Sequence, residues 1–356
     1  MAKQNGGREL WIDYMKAIAC LSVLTFHVIY GLQNAGLKCD FVLTNIKNIC
    51  GFFQIPIFLF ASGYLYGKKV WKQHENCSGA NILGSVKEYF DFTGKKLINL
   101  GIPYVVFSAV YYFINVTFAS SVNFTYTPKD LIGIYHTPLA QYWYLFASLL
   151  IFLAIPVLER LFQNEILVLA FLITWKFINM FFISETNYDY YFAQYACFFY
   201  LGTLYCRHYE AVSFKKTKPR AWIFSSLLLI ALYASPYFFQ WGQAFDVVIL
   251  FLVVLFLFLL CVFFEKNAEK CRCKFLDVVS KYSFQIYLLH TMVTAAVRIV
   301  LVKMGITSAW IHVILGCLLG LGVTVFVSCI CEKTLILNIF FAPMGTVKKL
   351  KSKNKK

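Results

Sequence analysis

Three residues on the first apolar segment, Asp13, Lys16 and His27 in WIDYMKAIACLSVLTFHVIYG, have side chains suited to moving protons. A charged group near the centre of a membrane helix costs roughly 2.5–3.5 kcal/mol, so such residues need a reason to be there. Lys16 and His27 are separated by ten residues, which is about three helical turns and roughly 16 Å on one face, and Asp13 falls on nearly the same face. The stripe must point into a protein interior or a wet cavity, because lipid would not accept it. A neutral imidazole in such a place can take a proton from a hydroxyl or an amine. The competing reading is a histidine hydrogen-bonded between helices, and spacing alone leaves both open.

Other segments add candidates. In KYSFQIYLLHTMVTAAVRIV, His290 falls about halfway through a span and Arg298 two turns closer to its far end. Arg298 cannot shed its charge and needs a partner, either in a static ion pair, with Asp246 the nearest acid by depth, or as a binder of an anionic group. The segment FFQIPIFLFASGYLYGKK contains Pro56, which can break a helix, and Ser62-Gly63, which allows a close helix contact. Ser62 has no base in sequence reach, so packing is its expected role. Lys95 and Lys96 precede an apolar run in TGKKLINLGIPYVVF. They either set topology or face the phosphates of a cytosolic nucleotide-bearing donor.

The elements that must position these residues are membrane helices. With 60% hydrophobic residues, 19% aromatic and 14% charged, the chain exceeds an ordinary soluble domain of its 356 residues. Apolar runs predict spans near 11–32, 48–67, 97–119, 142–159, 165–184, 191–206, 221–239, 244–264, 282–302 and 309–331. The expected class is therefore an all-α polytopic membrane protein of about ten transmembrane helices, the first a retained span and not a cleaved signal. Between these spans, Lys38, Lys47, Lys129 and Lys303 fall on one side, Lys16, Lys176 and Arg298 lie inside spans, and every other Lys and Arg falls on the opposite side. That asymmetry predicts that both termini are cytoplasmic. It also puts His27 in the outer half of the bilayer.

The net charge of +16 belongs mainly to the cytoplasmic loops and to the tail VKKLKSKNKK, so it calls for no nucleic-acid partner. Such a tail anchors topology and contacts anionic membrane lipids. The expected organisation is an integral-membrane domain over 1–335 and a basic cytoplasmic tail over 336–356, with a short amphipathic helix ending the segment 68–96. The twelve cysteines form no convincing framework. Cys271 and Cys273 lack a second Cys or His pair at zinc spacing, so no metal site is expected. The sequons at Asn115 and Asn123 are explained well enough by chance. With no phosphate loop, no Gly-x-Ser-x-Gly elbow and no HExxH motif, any chemistry falls to the membrane domain itself.

Taken together and in order, several stretches resemble the integral-membrane acyltransferase-3 family. They are the opening R-x-x-x-I-D-Y-x-K-x-x-A through His27, IPIFLFASGYL, the basic pair followed by IPY, QYWYLFASLL, Tyr200-Leu201-Gly202 and YSFQIYLLH. The resemblance covers essentially the whole chain. It implies an O-acetyltransferase-like enzyme moving an acetyl or other short acyl group from acyl-CoA to a hydroxyl of a glycan or lipid-linked sugar. By resemblance His27, Lys16 and Asp13 map to the catalytic helix, and His27 activates the acceptor hydroxyl or helps pass on the acyl group. Lys95 and Lys96 map to the donor site. There the family's usual pair of arginines corresponds to Lys96 and Asn99, so one charge is missing unless Lys95 substitutes.

Trp143, His290 and Arg298 are the expected substrate-binding residues, with Tyr64, Gln141, Trp143 and His290 as candidate donors to an oxyanion. No cofactor is expected to be permanently bound, because acyl-CoA serves as a substrate. The expected location is a bacterial cytoplasmic membrane. The alternatives are a secondary transporter or flippase using Asp13, Lys16, His27 and Asp246 as a proton path, and a relative that has lost catalysis.

Overall fold

The computed structural model describes residues 9–71, 85–182, 190–209, 219–234 and 245–353, and every regular element among them is helical. In chain order the helices are α1 (Leu10–Asn34), α2 (Phe41–Trp71), α3 (Val86–Lys96), a π-helical turn (Leu97–Gly101), α4 (Ile102–Thr117), the single turn α5 (Pro128–Ile132), α6 (Trp143–Phe162), α7 (Glu165–Phe182) and α8 (Tyr190–Arg207). They continue with α9 (Pro219–Ala234), α10 (Phe245–Asn267), α11 (Lys274–Lys303), α12 (Ala309–Lys333), α13 (Leu335–Phe341) and α14 (Pro343–Lys353). Each of the ten expected spans coincides with a helix. Among the described residues, seven helical segments are long and apolar enough to cross a membrane. The chain is an all-α polytopic membrane protein.

One expectation needs correction. Pro56 does not break its helix: α2 runs through it to Trp71. Within a bundle the carbonyl freed by the missing N–H can be satisfied by neighbours, so proline is tolerated. The third span is preceded by the expected short amphipathic helix. The amphipathic α3, capped at its start by the Ser85 hydroxyl accepting from the Glu88 N–H, continues through the π turn into α4. Residues 72–84 lie outside the described residues.

The chain divides into two compact units that share the long helices: residues 1–22, 51–78 and 164–281 form one, and 23–50, 79–163 and 282–356 the other. In the first unit the tightest packing is glycine on backbone. A Cβ on Gly63 would stand 1.8 Å from the Phe199 carbonyl oxygen, and one on Gly202 would stand 2.0 Å from that of Phe60. The Thr203 hydroxyl donates to the Gly63 carbonyl at 3.1 Å across the same α2–α8 crossing. The small-residue reading of Ser62-Gly63 thus describes a contact in which two helix backbones touch. Lys176, only 8% exposed on α7, is held by two oxygens of Gln194, the carbonyl at 3.0 Å and Oε1 at 2.6 Å.

In the second unit a small apolar cluster of Ile29, Leu32, Leu43 and Ala309 joins the far end of α1 to the starts of α2 and α12. Asp40 accepts the Leu43 N–H at 2.8 Å and the Trp310 indole N–H at 2.8 Å, which pulls its carboxyl below the usual range. The described part of the tail is helical. Phe341 of α13 packs on Phe107 with ring centroids 5.0 Å apart, and the Met344 N–H of α14 donates to Asn99 Oδ1 at 3.3 Å.

Gly202→Ala should destabilise the protein by at least the roughly 1–3 kcal/mol typical of overpacking, because the obstacle is backbone. Gly94→Ala, whose Cβ would meet nothing within 4 Å in α3, should be neutral or slightly stabilising. Thermal midpoints of the detergent-purified variants measure the difference, and equal midpoints would refute the backbone contact.

Candidate functional site

Within the second unit a cavity of about 800 Å³ opens along one face of α1. Its wall is built from α1 between Phe26 and Asn34, from Tyr111 to Phe118 on α4, and from the loop around Asn123 and Tyr126. The turn at Ala140–Trp143, α11 from Thr291 to Lys303, and His312 and Gly316 on α12 complete it. This volume suits a small organic substrate. Glycines let α12 approach: a Cβ on Gly316 would lie 2.9 Å from Val28 Cγ1, and one on Gly320 would lie 2.9 Å from Leu24 Cδ1.

His27 is half-buried on this wall. Its ring stands 5.0 Å from that of His290, tilted by 56°, and meets the Phe26 ring edge-on at 5.2 Å. His290 is completely buried behind it and is not a lining residue. Carbonyls only accept, so His290 Nδ1 carries the proton that it shares between the Tyr287 oxygen at 2.8 Å and the Ile286 oxygen at 3.0 Å. Its Nε2 is then the bare nitrogen, buried and without a hydrogen-bond partner. The two imidazoles therefore differ: one faces the cavity, and the other is tied by one nitrogen to its own helix.

The turn before α6 is fixed to α11. Gln141 Nε2 donates to the Thr291 hydroxyl at 2.5 Å, the Tyr287 hydroxyl donates to the Gln141 carbonyl, and the Tyr142 hydroxyl donates to the Leu288 carbonyl at 3.0 Å. Ala140, at φ 44°, lies in the left-handed region that non-glycine residues avoid. Such a conformation costs of the order of 1–3 kcal/mol and persists where the surroundings over-determine it. The result is that Gln141 and Trp143 are presented to the cavity from a rigid turn.

The end of the cavity beyond His27 is organised by one carbonyl. Gly31 oxygen accepts the Ala35 N–H at 3.1 Å within the chain turn, Arg298 Nη1 at 3.0 Å and Asn123 Nδ2 at 3.0 Å. A Cβ here would stand 2.7 Å from Arg298 Nη1, so the guanidinium would have to shift to admit one. His312 donates through Nε2 to the Ile306 carbonyl at 2.8 Å. The side chain of Asp246, the expected partner of Arg298, lies outside the described residues.

Of the expected site residues, His27, Trp143 and Arg298 line this cavity together with Gln141. Lys16 and Asp13 belong to the other unit, where Lys16 Nζ stands 2.7 Å from Asp13 Oδ1 and Asp13 is 6% exposed. Tyr64 lies in that unit too, with its hydroxyl given to Glu9. Lys95 pairs with Asp91 one turn back, and Lys96 stands 3.4 Å from the Phe152 ring centroid. Neither lysine lines the cavity. Tyr111, Asn123, Tyr126, Lys303 and His312 were not anticipated from sequence. Asn123 carried only a sequon, and nothing in the local pattern announced its bond to Gly31.

Chemically, the arrangement offers the half-buried His27 imidazole, amide and indole N–H groups on a rigid turn, and a cationic group one helical turn away. Among the described residues no cluster of His, Cys, Asp and Glu could hold a metal ion, and the described cysteines are free thiols. A family model described as an acyltransferase domain matches residues 9–331. No curated protein and no solved structure matches the chain.

Brief treatment with diethyl pyrocarbonate should carbethoxylate His27 and spare His290, because only the former faces open space. Peptide mass spectrometry reads this directly, and equal labelling of the two would contradict the observed burial.

Proposed function

Because this chain belongs to the acyltransferase-3 family and is a membrane acyltransferase, we propose that it moves an acetyl or other short acyl group from acyl-CoA to a hydroxyl of a glycan or lipid-linked sugar, with His27 as the base. The observation that carries this reading is the half-buried imidazole on the wall of a cavity large enough for a sugar. His27 accepts the proton of the acceptor hydroxyl while that oxygen attacks the thioester carbonyl carbon. The tetrahedral intermediate then collapses, the carbon–sulfur bond breaks, and the departing coenzyme A thiolate takes the proton back from the imidazolium.

Gln141 Nε2 and the Trp143 indole N–H are the candidate donors to the oxyanion, since the turn that bears them is fixed to α11. His290 is a positioning residue in this scheme: it packs against the His27 ring and touches no substrate. The donor's phosphates are assigned to Lys95 and Lys96 on α3. Asn99 stands where a second strong cation is usual, and its side chain instead receives α14 through the Met344 N–H. Lys95, exchanging Asp91 for a phosphate, supplies the replacement charge.

Lys16 and Asp13, an ion pair on the same helix as His27, are assigned with it to the catalytic helix. A bacterial cytoplasmic membrane is the proposed location. It lets a cytosolic thioester meet an acceptor that reaches His27 from the outside.

The test is thioester consumption by the purified protein in nanodiscs, with acetyl-CoA and a cell-envelope extract. His27→Ala should lower turnover by roughly 10²–10⁴ at matched amounts of folded protein. Absence of wild-type turnover with several acyl-CoA donors would overturn the enzyme reading in favour of transport.

A further inference from the structure

The cavity carries a charge pattern that the transfer reaction does not need. Among the described residues lining it, the charged ones are Arg298 and Lys303, and none is acidic. Arg298 is engaged by the Gly31 carbonyl through Nη1 alone, and it makes no ion pair among the described residues. A guanidinium has five N–H donors and keeps its charge, so most of its capacity is left for a group entering the cavity.

The placement of that guanidinium is specific. Gly31 leaves bare backbone for Arg298 to lie against, and a Cβ there, 2.7 Å from Nη1, would push the guanidinium out of this position. Gly31 follows His27 by four residues on α1, which is about one turn and roughly 6 Å along the axis. The Asn123 amide, bonded to the same carbonyl, stands beside it. An anion held by Arg298 would thus sit one helical turn from an oxygen presented to His27, between aromatic walls that include Tyr111, Tyr126 and Trp143. In a largely apolar cavity a guanidinium with no carboxylate partner among the described residues is costly, and a carboxylate or phosphate oxygen pair matches its fork.

Resting on the acyl-transfer reading of the same cavity, we infer that the acceptor is an acidic sugar whose carboxylate or phosphate is held by Arg298 while a neighbouring hydroxyl faces His27. Lys303 at the end of α11 adds attraction for the same charge.

The experiment measures binding without acyl-CoA, by thermal shift of the purified full-length protein in nanodiscs. The probes are digalacturonate against its methyl ester and glucose 1-phosphate against glucose. At least one anionic probe should bind roughly ten- to a hundredfold more tightly than its neutral counterpart, the range expected for a charge-assisted hydrogen-bonded pair. Arg298→Gln should erase that preference, Arg298→Lys should retain part of it, and Gly31→Ala should weaken it. Which pair shows the preference identifies carboxylate or phosphate as the recognised group.

Equal affinities within both pairs, no binding of any probe, or a preference that survives Arg298→Gln overturns the inference. Preference for the anion without any thioester turnover would sink the transfer reaction and spare the anion site. Turnover on neutral acceptors with no charge preference would do the reverse.

Discussion

The backbone carbonyl of Gly31 is the point on which the candidate site depends. Among the described residues it receives a helix N–H, the Arg298 guanidinium and the Asn123 amide, so three separate segments, α1, α11 and the loop after α4, meet at one oxygen. Away from water a hydrogen-bonding group must find its partner inside the protein, and a carbonyl with two lone pairs can serve several donors. The absence of a side chain at residue 31 is what makes room for this. The position of His27 follows from it, because α1 is fixed against α11 and α12 by the same contacts and by the glycines of α12.

The same rule explains the other ionisable groups in apolar surroundings. Lys176 is enclosed by the two Gln194 oxygens, Lys16 by Asp13, and His290 by carbonyls of its own helix. In each case at least one polar atom of the group finds its partner nearby. His27 differs, being half-buried at a cavity wall. The two imidazoles, 5.0 Å apart, differ in exposure: His27 stands at the cavity wall and His290 is fully buried.

The C-terminal segment shows how a single substitution in a motif can be absorbed by the fold. Asn99 stands in the π-helical turn before α4, and its amide oxygen takes the N–H of Met344, while Phe341 packs on Phe107. Insertions of this kind in an α-helix redirect side chains and recur at functional positions. A position read only as a missing positive charge therefore has a positive structural role.

Helix class and the first-helix candidates are legible in the sequence because membrane spans declare themselves by long apolar runs, and a charged residue within one is conspicuous against that background. Ser62-Gly63 was legible for a related reason, since small residues are where backbones can meet, whereas its partner Gly202 was not. Local pattern could not show that His290 lies behind His27, that Gln141 and Trp143 ride on a turn fixed to α11, or that Arg298 rests on Gly31. These depend on contacts between residues 92 to 267 positions apart in the chain, and the hydrophobic period of a helix does not encode its partner. Pro56 errs in the same direction: its local tendency to break a helix is overruled by the bundle around it. Sequence alone determined which segments enter the membrane and which residue types they carry there. Tertiary structure decided which of those residues face one another, because facing is set by helix crossings, and those turn on side-chain volumes and hydrogen bonds supplied by distant parts of the chain.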